Sequence, residues 1–139
     1  MKRQQTFFTE YFQVYRPVLN RLNMLLAPHN LFHSQWGILK LLKLEGEMTS
    51  AEIALRQQVE KPSVTKIVQR LVEMNLVSVR PGTDRREKWI GLTATGQNTV
   101  ETIMAELEIL YCELLNGIEL EELESAIRVM ESARKNLNN

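Results

Sequence analysis

A single cysteine, Cys112, has no partner for an internal disulfide, which fits a reducing compartment. No apolar run approaches the ~20 residues needed to cross a bilayer. The opening MKRQQTFFTEYFQVYRP starts basic but holds no uninterrupted apolar stretch and no small-residue cleavage site. No signal peptide is therefore expected, and the expected location is the cytoplasm without membrane contact. Glycine-rich phosphate loops, Ser-His-Asp or Cys-His sets and paired carboxylates on a definable cleft are all missing, which argues against an enzyme. Neither an internal repeat nor a low-complexity segment is present. Formal net charge is also missing, at +0, and a neutral total argues against a nucleic-acid partner unless the charges are unevenly placed.

They are unevenly placed. Between residues 56 and 88, eight basic groups (Arg56, Lys61, Lys66, Arg70, Arg80, Arg85, Arg86, Lys88) face four acidic ones (Glu60, Glu73, Asp84, Glu87). Residues 101–139 reverse the sign, with three basic groups against nine acidic. A basic centre followed by an acidic tail is expected where one region meets phosphate and another meets solvent or a second subunit. Two solvated faces of opposite bias would give the same counts. The 139 residues, 44% hydrophobic and 24% charged, suit one compact domain, or one small domain with helices that a partner chain must cover.

Apolar residues Phe7, Phe8, Tyr11, Phe12, Tyr15, Val18, Leu19, Leu22, Leu25 and Leu26 keep helical spacing, which predicts a long amphipathic helix. Pro17 removes the bond to the Gln13 carbonyl and predicts a kink, and Pro28 and Asn30 end the helix. A buried helix is predicted from about Ser34 to Gly46. Thr49 and Glu52 form a capping box for a short helix reaching about Gln58, with Val59 and Glu60 as a tight turn. Pro62, at the first helical position, opens the next helix. Its Val64, Ile67, Val68, Leu71 and Val72 are predicted to face inward, and its Ser63, Thr65, Lys66, Gln69 and Arg70 outward. Asn75 ends it in the left-handed region.

The period then becomes alternating, predicting a hairpin: Leu76, Val77 and Val79, a turn over Pro81–Asp84, and a second strand over residues 88–92. Thr93 caps a long final arm that breaks at Gly117 and resumes with Leu120, Leu123, Ile127, Met130 and Leu137. The fold class expected is mainly α with a small β-hairpin: a winged helix-turn-helix between terminal dimerisation helices. The expected division is residues 1–30, 31–95 and 96–139. In such a fold the second short helix enters the major groove of duplex DNA, so Lys61, Ser63, Thr65, Lys66, Gln69 and Arg70 are the candidate recognition residues.

The blocks Ser63-Val64-Thr65-Lys66-Ile67-Val68-Gln69-Arg70-Leu71, Asn75-Leu76-Val77, Asp84-Arg85-Arg86 and Leu92-Thr93-Ala94-Thr95-Gly96 resemble the MarR family of bacterial winged-helix regulators in order and spacing. One departure is Asn75, where the family commonly has glycine. The resemblance implies a dimeric, sequence-specific transcription regulator, a repressor released by a small molecule or another signal. It further implies that Arg86 is a wing-tip arginine entering the minor groove, with Asp84 bonding either to it or to the wing backbone. Arg85 and Lys88 complete the wing set.

Terminal helical stripes too large for a core of about sixty residues to cover call for a second copy, which would read a palindrome-like site. A winged helix that binds protein instead of DNA is the competing reading. Among signals, Cys112 is expected to be a buried, inert thiol, and His29 and His33 flank a helix break without a metal cluster beside them. No cofactor or metal is expected. A small organic effector is the default, placed between Phe32, Trp36 and the first helix.

Overall fold

A computed structural model describes residues 2–84 and 86–138. Arg85, one of the expected wing residues, lies outside the described set. The chain divides into two compact units, Met1–Leu107 and Glu108–Asn139.

In the first unit, α1 (Arg3–Leu26) is one continuous helix through Pro17. A 3-10 turn (Ala27–His29) follows, closed by Asn30 at φ 60°. Helix α2 (His33–Glu45) stops at Gly46, whose φ of 83° suits a residue without Cβ. Strand β1 (Met48–Thr49) leads into α3 (Ser50–Gln57), then α4 (Lys61–Glu73), β2 (Val77–Pro81) and β3 (Lys88–Leu92). Helix α5 (Ala94–Leu114) begins in this unit and runs into the second, which also holds α6 (Leu120–Leu137). Gly117, at φ 83°, lies between these two helices.

The expected hairpin is one half of a three-stranded antiparallel sheet ordered β1-β3-β2. Met48 pairs with Ile90 and Thr49 with Trp89 on one side of β3, and Val79 pairs with Ile90 and Arg80 with Trp89 on the other. A strand of two residues has no alternation to detect, so β1 left no periodic signal. The core of this unit is built on Ile38, Leu39, Ile53, Val64, Leu71, Ile90, Val100 and Ile103, all essentially inaccessible.

Several local expectations need correcting. Thr49 Oγ1 accepts the Glu52 amide at 3.2 Å, but this is a simple N-cap and not the expected two-way box. The tight turn after α3 is made by Gln58 at φ 56°, with Gln58 N–H donating to Leu55 O and Val59 N–H to Ala54 O. Pro62 occupies the second position of α4, after Lys61, still within the turn whose amides have no helical partner. Val72 is not on the buried face. It is 43% exposed, because Val64, Val68 and Leu71 already fill the stripe facing the core.

The end of α4 is tied to the start of α5. Asn75, at φ 60°, donates its N–H to Val72 O, and Leu76 N–H reaches Leu71 O, closing the helix. Thr93 Oγ1 donates to Asn75 O at 2.7 Å and accepts the Gly96 amide at 2.9 Å, while Thr93 N–H donates to Leu76 O at 3.1 Å. A Cβ at Gly96 would collide with the Leu76 carbonyl oxygen, which is backbone and already bonded. Gly96→Ala should therefore destabilise the protein by about 1–3 kcal/mol in urea unfolding. Gly37→Ala, whose Cβ would meet only the Gln57 side chain at 3.4 Å, should leave it at or above wild-type stability, because alanine favours a helix interior. Equal stability of the two variants would contradict the close approach at Gly96.

Candidate nucleic-acid interface

Helix α4 turns Lys61, Ser63, Thr65, Lys66, Gln69 and Arg70 to solvent, as its periodicity predicts. Their surroundings differ. Thr65 Oγ1 donates to the Lys61 carbonyl one turn earlier at 3.1 Å, so its hydroxyl proton is engaged and its lone pairs face outward. Arg70 Nη1 lies 3.2 Å from Glu73 Oε2, an exposed pair of the kind worth about 0–1 kcal/mol that a phosphate can displace.

The wing turn is held by its own backbone: Gly82 N–H donates to Glu87 O at 2.8 Å, and Glu87 N–H to Asp84 O at 3.0 Å. Asp84 Oδ1 accepts the backbone amide of Arg86 at 3.1 Å. Of the two alternatives for Asp84, this is the bond to the wing backbone. Arg86 and Lys88 then line a cleft of about 390 Å³ together with Lys61 and Thr65 of α4, Ser50 at the start of α3, and two carboxylates, Glu52 and Glu87. On the other side of Thr65 and Lys88, a second cleft of about 390 Å³ runs over Val68, Val72, Val79 and Ile90, bordered by Gln69 and Glu73. Ser50, Thr65 and Lys88 line both clefts and form the rim between them. Ser50 escaped the sequence reading because it looked like part of a cap.

A second group went unseen. Glu47, ahead of β1, reaches Arg80 on β2, with Nε 2.8 Å and Nη2 2.6 Å from the same oxygen, Oε2. The hydrogen bond from Arg80 holds the Glu47 carboxyl below its ordinary range, partial desolvation opposes this, and the Arg80 charge adds to the lowering. Because the folded value is depressed, the contribution of the pair is present at neutral pH and is lost as pH falls through that value. The guanidinium carbon of Arg80 also lies over the Trp89 ring, 5.7 Å from its centre. The two partners are 33 residues apart, beyond the reach of any local pattern.

The chain is similar to known proteins in sequence and in fold. Residues 29–87 match the MarR family. The HTH-type transcriptional regulator YwoH of Bacillus subtilis is 36% identical over 110 residues, covering 79% of this chain and 80% of its own length. The homoprotocatechuate degradative operon repressor of Escherichia coli is 27% identical over 118 residues, with coverages of 84% and 75%. The solved structure of Staphylococcus aureus MarR in complex with salicylate and kanamycin is 28% identical and superposes with a TM-score of 0.89. It covers 96% of this chain and 91% of that one.

The candidate sensing residues are dispersed. Trp36 is buried in the core at 4% exposure, whereas Phe32 is 66% exposed and its amide donates to Gln35 Oε1 at 2.9 Å. His29 Nε2 lies 3.3 Å from both Glu106 oxygens and serves as the donor, since a carboxylate only accepts. His33 instead meets Asn23, with Nδ1 at 3.4 Å from Oδ1. Among the described residues no group of three or more His, Cys, Asp or Glu is arranged to hold a metal. Cys112 is exposed and not buried as expected, because its stretch of helix turns it outward beside Glu108. Its thiol is nevertheless shifted up by desolvation, by the Glu108 charge and by the hydrogen bond it donates to Glu108. A thiol so held is mostly protonated at neutral pH, and the thiolate is the reactive form. At pH 7.5 Cys112 should react with iodoacetamide more slowly than a small-peptide thiol, the rate climbing with pH. A rate equal to the peptide's would remove the argument for inertness.

Proposed function

The chain belongs to the MarR family and is a DNA-binding transcription regulator, and on that premise we propose that it grips a palindrome-like operator as a homodimer, α4 in the major groove and the wing in the flanking minor groove. The observation carrying this reading is the shared cleft. Lys61 and Thr65 come from α4, Arg86 and Lys88 from the wing, and the four side chains line one concave surface. A helix fits the major groove, and residues near its N-terminal end approach the bases most closely. Ser63 and Thr65 are small enough for close approach, Gln69 suits the N6/N7 edge of adenine, and Lys66 and Arg70 suit guanine or phosphate. The guanidinium of Arg86, on a narrow exposed tip, suits the negative potential of a narrow minor groove.

The dimer reading rests on apolar surface left uncovered at both ends of the chain. On α1, Phe8, Phe12 and Tyr15 are more than half exposed. In the second unit, Leu120 and Leu137 are exposed, and Ile127, Val129 and Met130 are each nearly half exposed. A second copy covering these stripes sets two α4 helices about 34 Å apart, one turn of duplex. In this organisation residues 1–30 and 96–139 are dimerisation arms and residues 31–95 the DNA-binding part. Repression is the proposed sense of regulation, supported by the Escherichia coli relative named a repressor. Release by a small organic effector is supported by the Staphylococcus aureus homologue solved with salicylate and kanamycin. Phe32 and Trp36 are the proposed effector contacts, Phe32 from the surface and Trp36 only where the core beside it opens to admit the ligand. A regulator that binds duplex DNA works where the chromosome is, which supports a cytoplasmic location; no helix among the described residues is long and apolar enough to cross a membrane.

Sedimentation equilibrium should give twice the chain mass of 16.1 kDa. Replacing Phe8 and Phe12 together by glutamate should shift the protein toward the single-chain mass; a wild-type monomer at micromolar concentration would refute the dimer. In fluorescence anisotropy with an operator selected from genomic fragments, Arg86→Ala, Thr65→Ala and Arg70→Ala should each weaken binding about 5- to 30-fold, and affinity should fall steeply with salt. Three variants at wild-type affinity would show that the docking geometry is wrong. Salt-insensitive or absent DNA binding would favour a protein partner instead.

A further inference from the structure

Arg80 is a basic wing residue that the docking scheme leaves without a task. Its side chain does not run toward the wing tip. It turns back across the sheet to Glu47, both contacts falling on the one oxygen Oε2.

The route between them crosses the central strand. Gly91 lies on β3 opposite Ser78, and a Cβ built there would sit 2.9 Å from Glu47 Cγ. The Glu47 side chain therefore lies over Gly91 to reach the far strand, and any larger residue at that position would push it off. Trp89, two residues earlier on β3 and on the same face, lies beneath the Arg80 guanidinium, whose carbon is 5.7 Å from the ring centre. The indole continues the contact outward: a Cβ at Gly82 would meet Trp89 Nε1 at 3.0 Å and Glu87 Cβ at 2.8 Å. Gly82 opens the turn that presents Arg86. An unbroken line of contacts thus joins Glu47, beside the start of the helix-turn-helix, through Arg80 and Trp89 to the base of the wing tip.

We infer that Glu47, Arg80 and Trp89, with room made by Gly91 and Gly82, form a brace that fixes the direction of the wing, and that Arg80 is a positioning residue and not a phosphate contact. The inference rests on the proposed entry of the wing into the minor groove. The side chains of Arg80 and Glu47 are 58% and 46% exposed. An ion pair that open adds little to global stability, so its effect is on geometry. The shape of the guanidinium matters here, because one group reaches a carboxylate oxygen through two of its nitrogens while its carbon lies over an indole, which an ammonium does not reproduce.

The competing role for Arg80, a direct phosphate contact, predicts the opposite sign for a single change. Glu47→Gln frees Arg80 and removes a local negative charge, so a phosphate-contacting Arg80 would bind DNA more tightly. A brace would lose its anchor and bind more weakly, by about five- to tenfold. Arg80→Lys, which keeps the charge, should weaken binding similarly if Arg80 is a brace, and hardly at all if it meets phosphate. In an Arg86→Ala background the brace variants should add less than about twofold, because the brace acts through the tip. Acrylamide quenching supplies a readout without DNA: Trp36 is buried, so added quenching in Glu47→Gln reports a loosened Trp89. Glu47→Gln at or above wild-type affinity, with Arg86→Ala weakened, overturns the brace alone. Arg86→Ala at wild-type affinity overturns the wing docking and the brace with it.

Discussion

Strand β3 has two partners, and the placement of every residue proposed to meet DNA depends on that. On one edge it pairs with β1, which leads without a linker into α3; on the other it pairs with β2, which arrives from α4. Both helices of the helix-turn-helix are thereby tied to the strand that carries the wing. Each ladder adds only a few backbone bonds, but together they remove the hinge that a lone two-stranded ribbon would have, since such ribbons are marginal by themselves. Ile90, at 1% exposure, anchors the arrangement by packing its side chain into the core while its backbone faces Met48 and Val79.

The same rigidity is enforced at the helix ends, three of them closed without glycine. Asn30, Gln58 and Asn75 all take positive φ, and each closes a helix with the same pair of reversed backbone bonds. Glycine would enter this region without penalty, whereas asparagine and glutamine retain a Cβ. What these residues offer in exchange is a narrower unfolded ensemble, since glycine loses the most entropy on folding. At Asn75 the turn also supplies the carbonyl that accepts the Thr93 hydroxyl, so one junction ends α4 and begins α5.

What could be read from the sequence follows the range of the interactions. Helix boundaries came within a residue or two because caps and periodicity are local: Gly46, Thr49, Asn75 and Thr93 all do what their types suggest. Gln58 was hidden because glutamine is not a usual left-handed residue. Strand β1 was hidden because two residues have no period. Val72 misled because its place on the helical stripe says nothing about where the neighbouring packing stops. The Glu47–Arg80 pair was invisible for a different reason. It depends on three strands in register and on the bare backbone of Gly91, and neither is a property of residues near either partner in sequence.

Neutral net charge, at first an objection to a DNA partner, becomes intelligible once the cations are placed. Arg56 is paired with Glu45, Arg70 with Glu73 and Arg80 with Glu47, so among the described basic groups between residues 56 and 88 these three already face carboxylates. Those lining the cleft between helix and wing are Lys61, Arg86 and Lys88, beside Glu52 and Glu87. Non-specific affinity for duplex scales with the number of phosphates neutralised, and genomic DNA offers a vast excess of wrong sites. Each cation that must leave a carboxylate to meet a phosphate adds less to that non-specific hold. In the proposed docking, discrimination then falls to contacts that need the correct geometry, the α4 side chains in one groove and Arg86 in the next. Such a design tolerates little error in the angle between helix and wing, which gives a physical reason for tying both to one strand.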